Sequence, residues 1–160
     1  MKLRLLFPGR IKPVALAPAE AEYAGRLRRF GVEIAPWKEV AVSGRTPDEI
    51  RRMEAERVRK LLNDKEFFVV CDERGRSLRT TELADRLRAA RRGEPPFTGR
   101  RRMSILIGGA LGVDESLRRE ADEIWALSSL VLAGGVARVV LLEALYRAFT
   151  LIEGHPYHNE

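Results

Sequence analysis

Cysteine is nearly absent from this sequence. Cys71 stands alone among 160 residues, so no internal disulfide can form and a reducing compartment is the expectation. Histidine is almost as scarce. His155 and His158 are the only two, and the Pro-Tyr between them does not make a helical ligand pair, so no metal site is expected. No stretch approaches the roughly 20 apolar residues that cross a bilayer. No leader-like apolar run opens the chain either, because Met1-Lys2-Leu3-Arg4 passes quickly into Pro8-Gly9. A cytoplasmic protein without membrane contact is expected. Several nucleotide and hydrolase patterns are also missing: no G-x-G-x-x-G, no phosphate loop ending in Gly-Lys-Ser/Thr, and no nucleophile elbow for a Ser-His-Asp hydrolase.

Lysine is rare too, found only at positions 2, 12, 38, 60 and 65. Arginine therefore carries most of the net charge of +6. A basic surface favours polyanions through counterion release, and arginine suits bidentate phosphate contacts. A solvated face, a biased genome or a need for heat stability would leave the same composition. Hydrophobic residues at 45% and charged residues at 32% describe a folded chain, here read as a single domain over residues 1–160.

Short apolar runs alternate with amphipathic stretches. Residues 3–7 read as a strand closed by Pro8-Gly9. Leu16, Tyr23, Leu27 and Phe30 then lie on one helical stripe that ends at Gly31, and residues 32–40 alternate as a strand would. Thr46-Pro47-Asp48-Glu49 is a capping box with proline in the first turn, opening a helix marked by Ile50, Met53, Val58 and Leu61. Residues 67–71 form a continuous apolar run, the mark of a strand covered on both faces, which is expected to break at Asp72-Glu73-Arg74-Gly75. Thr80 or Thr81 is expected to cap the next helix. Residues 94–102 read as an exposed basic loop, residues 103–107 as a buried strand, and Asp114 as the cap of a short helix before a strand at 124–127. Residues 136–152 are apolar almost all round, so a second subunit is expected to cover part of that last helix. The pattern as a whole predicts an α/β fold with a mainly parallel sheet and helices on both faces.

Ligands in such sheets bind beyond the carboxyl ends of the strands. Three segments fall there: residues 71–75, the run Gly108-Gly109-Ala110-Leu111-Gly112, and residues 128–135. Each taken alone reads as a turn. Together they point to one shared ligand site. Cys71 could serve as a nucleophile, but at the end of an apolar strand it reads as a small core residue. Glu143 and Arg147 stand at i and i+4, the spacing of a helical ion pair. Arg138 interrupts an apolar run, so it either pairs internally or meets a phosphate or carboxylate.

Five motifs, in order, carry a specific resemblance: Asp72-x-x-Gly75, Leu106-Ile107-Gly108-Gly109-x-x-Gly112, Leu127-Ser128, Arg138-Val139 with Glu143-x-x-Tyr146-Arg147-Ala148, and His155-Pro156-Tyr157-His158. Over its whole length the chain resembles the RlmH family of ribosomal RNA large-subunit pseudouridine N3-methyltransferases, of the SPOUT superfamily. The resemblance implies a C-terminal trefoil knot, a rare exception to unknotted chains. It implies S-adenosyl-L-methionine as cofactor, cradled by Cys71, Gly108, Gly109, Ser128, Ser129, Leu130, Val131, Leu132 and Ala133. It implies a homodimer acting on large-subunit ribosomal RNA or the ribosome. Arg138, from the matched motifs, and the basic run Arg100, Arg101 and Arg102, from its charge, are expected to face the RNA. Arg147, Tyr157, His158 and Glu143 would be the catalytic group, with Tyr157 and His158 on a tail closing over the site. The family usually carries Pro-His where Ala133-Gly134 stands here, and a leucine where Cys71 stands. The alternative reading is a non-catalytic RNA-binding or ribosome-associated module of the same fold, which donor binding would distinguish.

Overall fold

The computed structural model describes residues 1–11 and 14–154. Strands β1 (Lys2–Pro8), β2 (Val32–Trp37), β3 (Glu66–Ser77), β4 (Arg102–Ile107) and β5 (Glu123–Ala126) form one five-stranded sheet in the order β2-β1-β4-β3-β5. Every neighbouring pair is parallel. All five strands therefore end on the same edge of the sheet.

Helices α1 (Ala17–Leu27), α3 (Thr80–Arg92) and α5 (Gly134–Ile152) share one core with Leu5, Phe7, Val69 and Ile105 from one face of the sheet. Helices α2 (Pro47–Arg59) and α4 (Glu115–Glu120) cover the other face, over Leu6, Phe68, Val70 and Leu106. Alternate strand residues point to opposite faces, and both faces are covered, so the central strands read as unbroken apolar runs.

The local signals behave as their chemistry requires. The Thr46 hydroxyl accepts the Glu49 N–H at 3.3 Å, and Glu49 Oε2 accepts the Thr46 N–H at 2.7 Å, closing the capping box of α2. Gly31 ends the first helical stretch in the left-handed region, at φ 76°, which a side chain would strain. Asp114 caps α4 by accepting the Ser116 N–H.

Three expectations need correction. Strand β3 does not break at Asp72. It runs on to Ser77, with an irregularity between Cys71 and Arg76, both of which register with Trp125. Gly75 allows this, since a β-carbon there would stand 2.7 Å from the backbone of Ile124 and Trp125. The cap position of α3 is Arg79, not a threonine; the Glu82 carboxylate accepts the Arg79 N–H at 2.8 Å and satisfies that end. Residues 94–101 are not simply an exposed loop, because Phe97 is buried and packs on Phe67 at 4.5 Å between ring centroids. Helix α5 packs its buried side chains against this chain's own α1 and α3. The large apolar side chains left exposed near its start are Leu130 at 73%, Val131 at 82% and Val136 at 38%.

Candidate active site

The carboxyl edge of the sheet carries a cavity of about 490 Å³. Three segments line it. The end of the regular part of β3 brings Cys71, Asp72 and Glu73. The turn after β4 brings Gly108, Gly109, Ala110, Gly112 and Val113, and the segment joining β5 to α5 brings Leu127, Ser128 and residues 130–134. Ile107 and Ala137 complete the wall. These are the three segments that the sequence placed beyond the strand ends, and parallel order is what brings them together.

Of the cradle residues expected, Cys71, Gly108, Gly109, Ser128, Leu130, Val131, Leu132 and Ala133 all line the cavity. Ser129 does not: it is exposed and lies outside the lining. The Ser128 hydroxyl accepts the Leu130 N–H at 2.9 Å, which turns the backbone between them. Gly134 has open space where a β-carbon would stand, so the family's histidine at that place would meet no obstruction.

Both glycines of the β4 turn are tightly backed. A β-carbon on Gly108 would lie 2.6 Å from Val113 Cγ2 and 3.0 Å from the Gly112 carbonyl carbon. One on Gly109 would lie 2.7 Å from Glu54 Oε2. Glu54 is a buried carboxylate on α2 whose Oε1 accepts the Val40 N–H at 3.0 Å. Sequence reasoning missed it, although Ile50, Glu54 and Val58 follow one another at i, i+4 and i+8 and so share the core face.

Burial pushes the Cys71 thiol up to about 12, so it is neutral and unsuited to act as a nucleophile. Asp72 behaves oppositely. Burial works against its ionisation, but the Arg74 N–H at 3.0 Å and the Arg118 guanidinium at 2.8 Å hold it below the usual carboxylate range. The cavity thus has apolar walls and a carboxylate at its rim, already paired with Arg118.

The remaining expected residues lie elsewhere. Arg138 is 4% exposed and takes the internal alternative. Its guanidinium donates to the Pro8 and Gly9 carbonyls at 3.1 and 3.3 Å and to Glu20 at 2.9 Å, and it lies over the Phe7 ring. In this arrangement it ties α5 to β1 and α1. Glu143 and Arg147 form the helical ion pair on α5, with Arg147 Nε 3.0 Å from Glu143 Oε1, and neither lines the cavity. Arg100, Arg101 and Arg102 stand at the amino edge of the sheet, the far end from the cavity, because Arg102 begins β4. Arg100 donates to Asp122 at 2.8 Å and to the Glu66 carbonyl at 2.6 Å. Tyr157 and His158 lie outside the described residues. Among the described residues no cluster of His, Cys, Asp and Glu suits a metal ion, and no helix is long and apolar enough to cross a membrane.

Comparison with known proteins joins this geometry to a family. Residues 1–158 match the family described as "Predicted SPOUT methyltransferase". Among the chain's relatives, the ribosomal RNA large subunit methyltransferase H of Methylobacillus flagellatus is 36% identical over 162 residues, covering 100% of both chains. The proteins of that name from Geobacter metallireducens and Nitrosospira multiformis are 38% and 39% identical, each covering 99% of both chains. A glycine-backed cavity at the carboxyl edge of a parallel sheet, with full-length similarity on this scale, has one conclusion: the chain belongs to the SPOUT methyltransferase family, in the group of the ribosomal RNA large subunit methyltransferases H.

Proposed function

We propose that this protein transfers a methyl group from S-adenosylmethionine to N3 of a pseudouridine in large-subunit ribosomal RNA, acting in the cytoplasm as a homodimer on the ribosome. The observation that carries this reading is the convergence of three segments, the end of β3, the turn after β4 and the segment joining β5 to α5, on one cavity in a chain of this family. Its volume, about 490 Å³, falls within the roughly 300–1,000 Å³ of small-molecule sites.

When bound, the donor would supply a sulfonium methyl group for attack by the ring nitrogen, the methyl–sulfur bond breaking as S-adenosylhomocysteine leaves and the N3 proton passing to a base. The chain's own residues fit such a molecule. Ile107, Val113, Leu127 and Leu132 offer apolar wall to a flat base and exclude water from it. Gly108 and Gly109 keep the backbone close, with no side chain between it and the ligand. Asp72, held ionised between Arg118 and Arg74, fixes the end of this wall rather than offering free charge to the ligand. The segment joining β5 to α5 is also where the resemblance puts the trefoil knot.

The second half of the site belongs to the dimer. Val136, Val140, Glu143 and Arg147 follow at i, i+4, i+7 and i+11 and so share one face of α5. A partner seated on the exposed Leu130, Val131 and Val136 would border the Glu143–Arg147 pair as well. In this reading Arg147 and Glu143 position the base, and Tyr157 and His158, from the resemblance, complete the group that handles the imide proton.

The test is transfer of tritiated methyl from the donor to ribosomes purified from a strain lacking the protein, with the label mapped to one nucleotide. Transfer to a single large-subunit pseudouridine is expected. A calorimetric titration with S-adenosylmethionine that gave no heat, and ribosomes that took up no label, would sink the reading. Removing residues 157–160 should leave RNA binding intact and collapse turnover, because the loss falls on transition-state contacts.

A further inference from the structure

The net charge of +6 is not spread evenly. Many arginines are paired with carboxylates, among them Arg26 with Glu22, Arg51 with Asp48, Arg59 with Glu120 and Arg88 with Asp85. The amino edge of the sheet is different. There β1, β4 and β3 begin side by side, with Arg102 in register with both Lys2 and Glu66. An open basin of about 550 Å³ lies at that edge, and its cations are Lys2, Lys65, Arg101 and Arg102.

Little negative charge offsets them. Among the described residues no acid pairs with the side chains of Lys2, Lys65 or Arg101. Glu66, the acidic group beneath the basin, is buried and already bonded. It takes Arg4 at 2.9 and 3.0 Å, Asn63 at 2.8 Å and the Ser104 hydroxyl, and it reaches Arg102 only at 3.4 Å. Asp64, next in sequence to Lys65, lines a neighbouring depression with Arg59 and Arg100 instead. The backbone also fixes the cluster, since the Arg101 N–H donates to the Lys65 carbonyl at 2.8 Å. Cations held together in a concavity focus attraction for a polyanion.

We infer that this amino-edge basin is a second RNA site, which grips the phosphodiester backbone of the substrate at a distance from the base that is methylated. The inference rests on the ribosomal-RNA reading above. Its position argues for backbone rather than base contacts. From Glu66 to Cys71 a strand advances roughly 17 Å at about 3.3 Å per residue, so the basin cannot reach the base in the donor cavity. Its cations come from three separate segments and open onto solvent, which suits successive phosphates of a chain rather than one enclosed ion. Contacts of this kind fix register and orientation and carry no sequence information.

The experiment measures binding of the full-length protein, without donor, to protein-free large-subunit ribosomal RNA between about 50 and 200 mM salt. The variant is Lys65→Glu with Arg101→Glu. Its affinity should fall by about tenfold or more at the low end. The slope of log affinity against log salt should flatten by about 1.4–1.8, at about 0.7–0.9 for each of the two cations removed. Its melting temperature and its S-adenosylmethionine titration should match the parent, which shows that the fold and the donor cavity survive. Arg28→Glu with Arg52→Glu, an equal change of charge elsewhere on the surface, should cost less than about threefold. Unchanged affinity and slope in the basin variant overturns the inference, as does an equal loss in the control pair. Inorganic phosphate that displaces RNA beyond an ionic-strength-matched chloride control also overturns it, in favour of a free-anion site. Binding is read here without methyl transfer. An unmodified ribosome that the parent protein fails to methylate counts against the proposed reaction alone.

Discussion

Glu54 Oε2 stands 2.7 Å from the point that a β-carbon on Gly109 would occupy. One carboxylate on α2 thus backs the turn that lines the donor cavity, while its other oxygen holds the Val40 N–H at 3.0 Å. A side chain at position 109 would have to displace that carboxylate.

Gly109→Ala should therefore displace Glu54 and cost about 1–3 kcal/mol, since moving the carboxylate leaves a buried N–H without its acceptor. Donor affinity should fall with it. Glu54→Gln keeps an acceptor of the same shape and should stay close to the parent in both, whereas Glu54→Ala should lose both. Thermal melts and calorimetric donor titrations on the three variants check this. A Gly109→Ala protein that binds donor normally would remove Glu54 from the support of the turn.

Gly108→Val should abolish donor binding, but not by filling empty space. Its β-carbon would meet Val113 Cγ2 at 2.6 Å, so the turn itself must shift and the melting temperature should drop as well. Donor titration alongside a melt separates the two losses. A variant with normal donor affinity would refute the assignment of this turn.

Arg4 and Glu66 form a buried pair, with side chains 11% and 1% exposed. Arg4→Met leaves the buried carboxylate with only the longer contact to Arg102, at 3.4 Å, to offset its charge. A cost of about 3–5 kcal/mol is expected, where replacing both members with apolar residues would cost far less. Urea denaturation of the single variant and of Arg4→Met with Glu66→Leu makes the comparison.

Asp72 gives the stability a pH dependence with a definite sign. Its folded value lies below the ordinary 3.8, so its contribution is present above that value and is lost as pH falls through the depressed one. Asp72→Asn should destabilise the protein by about 1–3 kcal/mol at neutral pH, where it loses charge-assisted bonds to Arg118 and Arg74. The gap should close below pH 3.8. Denaturation curves from acid to neutral pH test it, and a gap independent of pH would contradict the assignment.

Dimer formation should depend on the apolar group at the start of α5. Val131→Asp with Val136→Asp places two charges on the most exposed apolar surface next to the cavity and should give monomers by light scattering at micromolar concentration. A dimer that withstands both changes would place the interface elsewhere.

Much of this molecule can be read from its sequence, where the information is local. The Thr46–Glu49 capping box, the turn at Gly31 and the unbroken apolar run at residues 67–71 depend on neighbours a few positions away, and each appears as read. The three segments of the cavity were legible too, since parallel order sends every strand's carboxyl end to one edge. The motifs placed the chain in its family. Tertiary structure decided the charged residues. Arg138 could equally have met a ligand until Glu20 and the Pro8 carbonyl closed around it from residues more than 100 positions away. Arg100 to Arg102 read as an exposed basic loop facing the RNA, and it is the fold that sets them at the edge opposite the cavity, where β4 begins. Glu54 went unnoticed in the sequence, and only the fold sets it against Gly109. A charge's role depends on what long-range packing brings to it, and no local pattern records that.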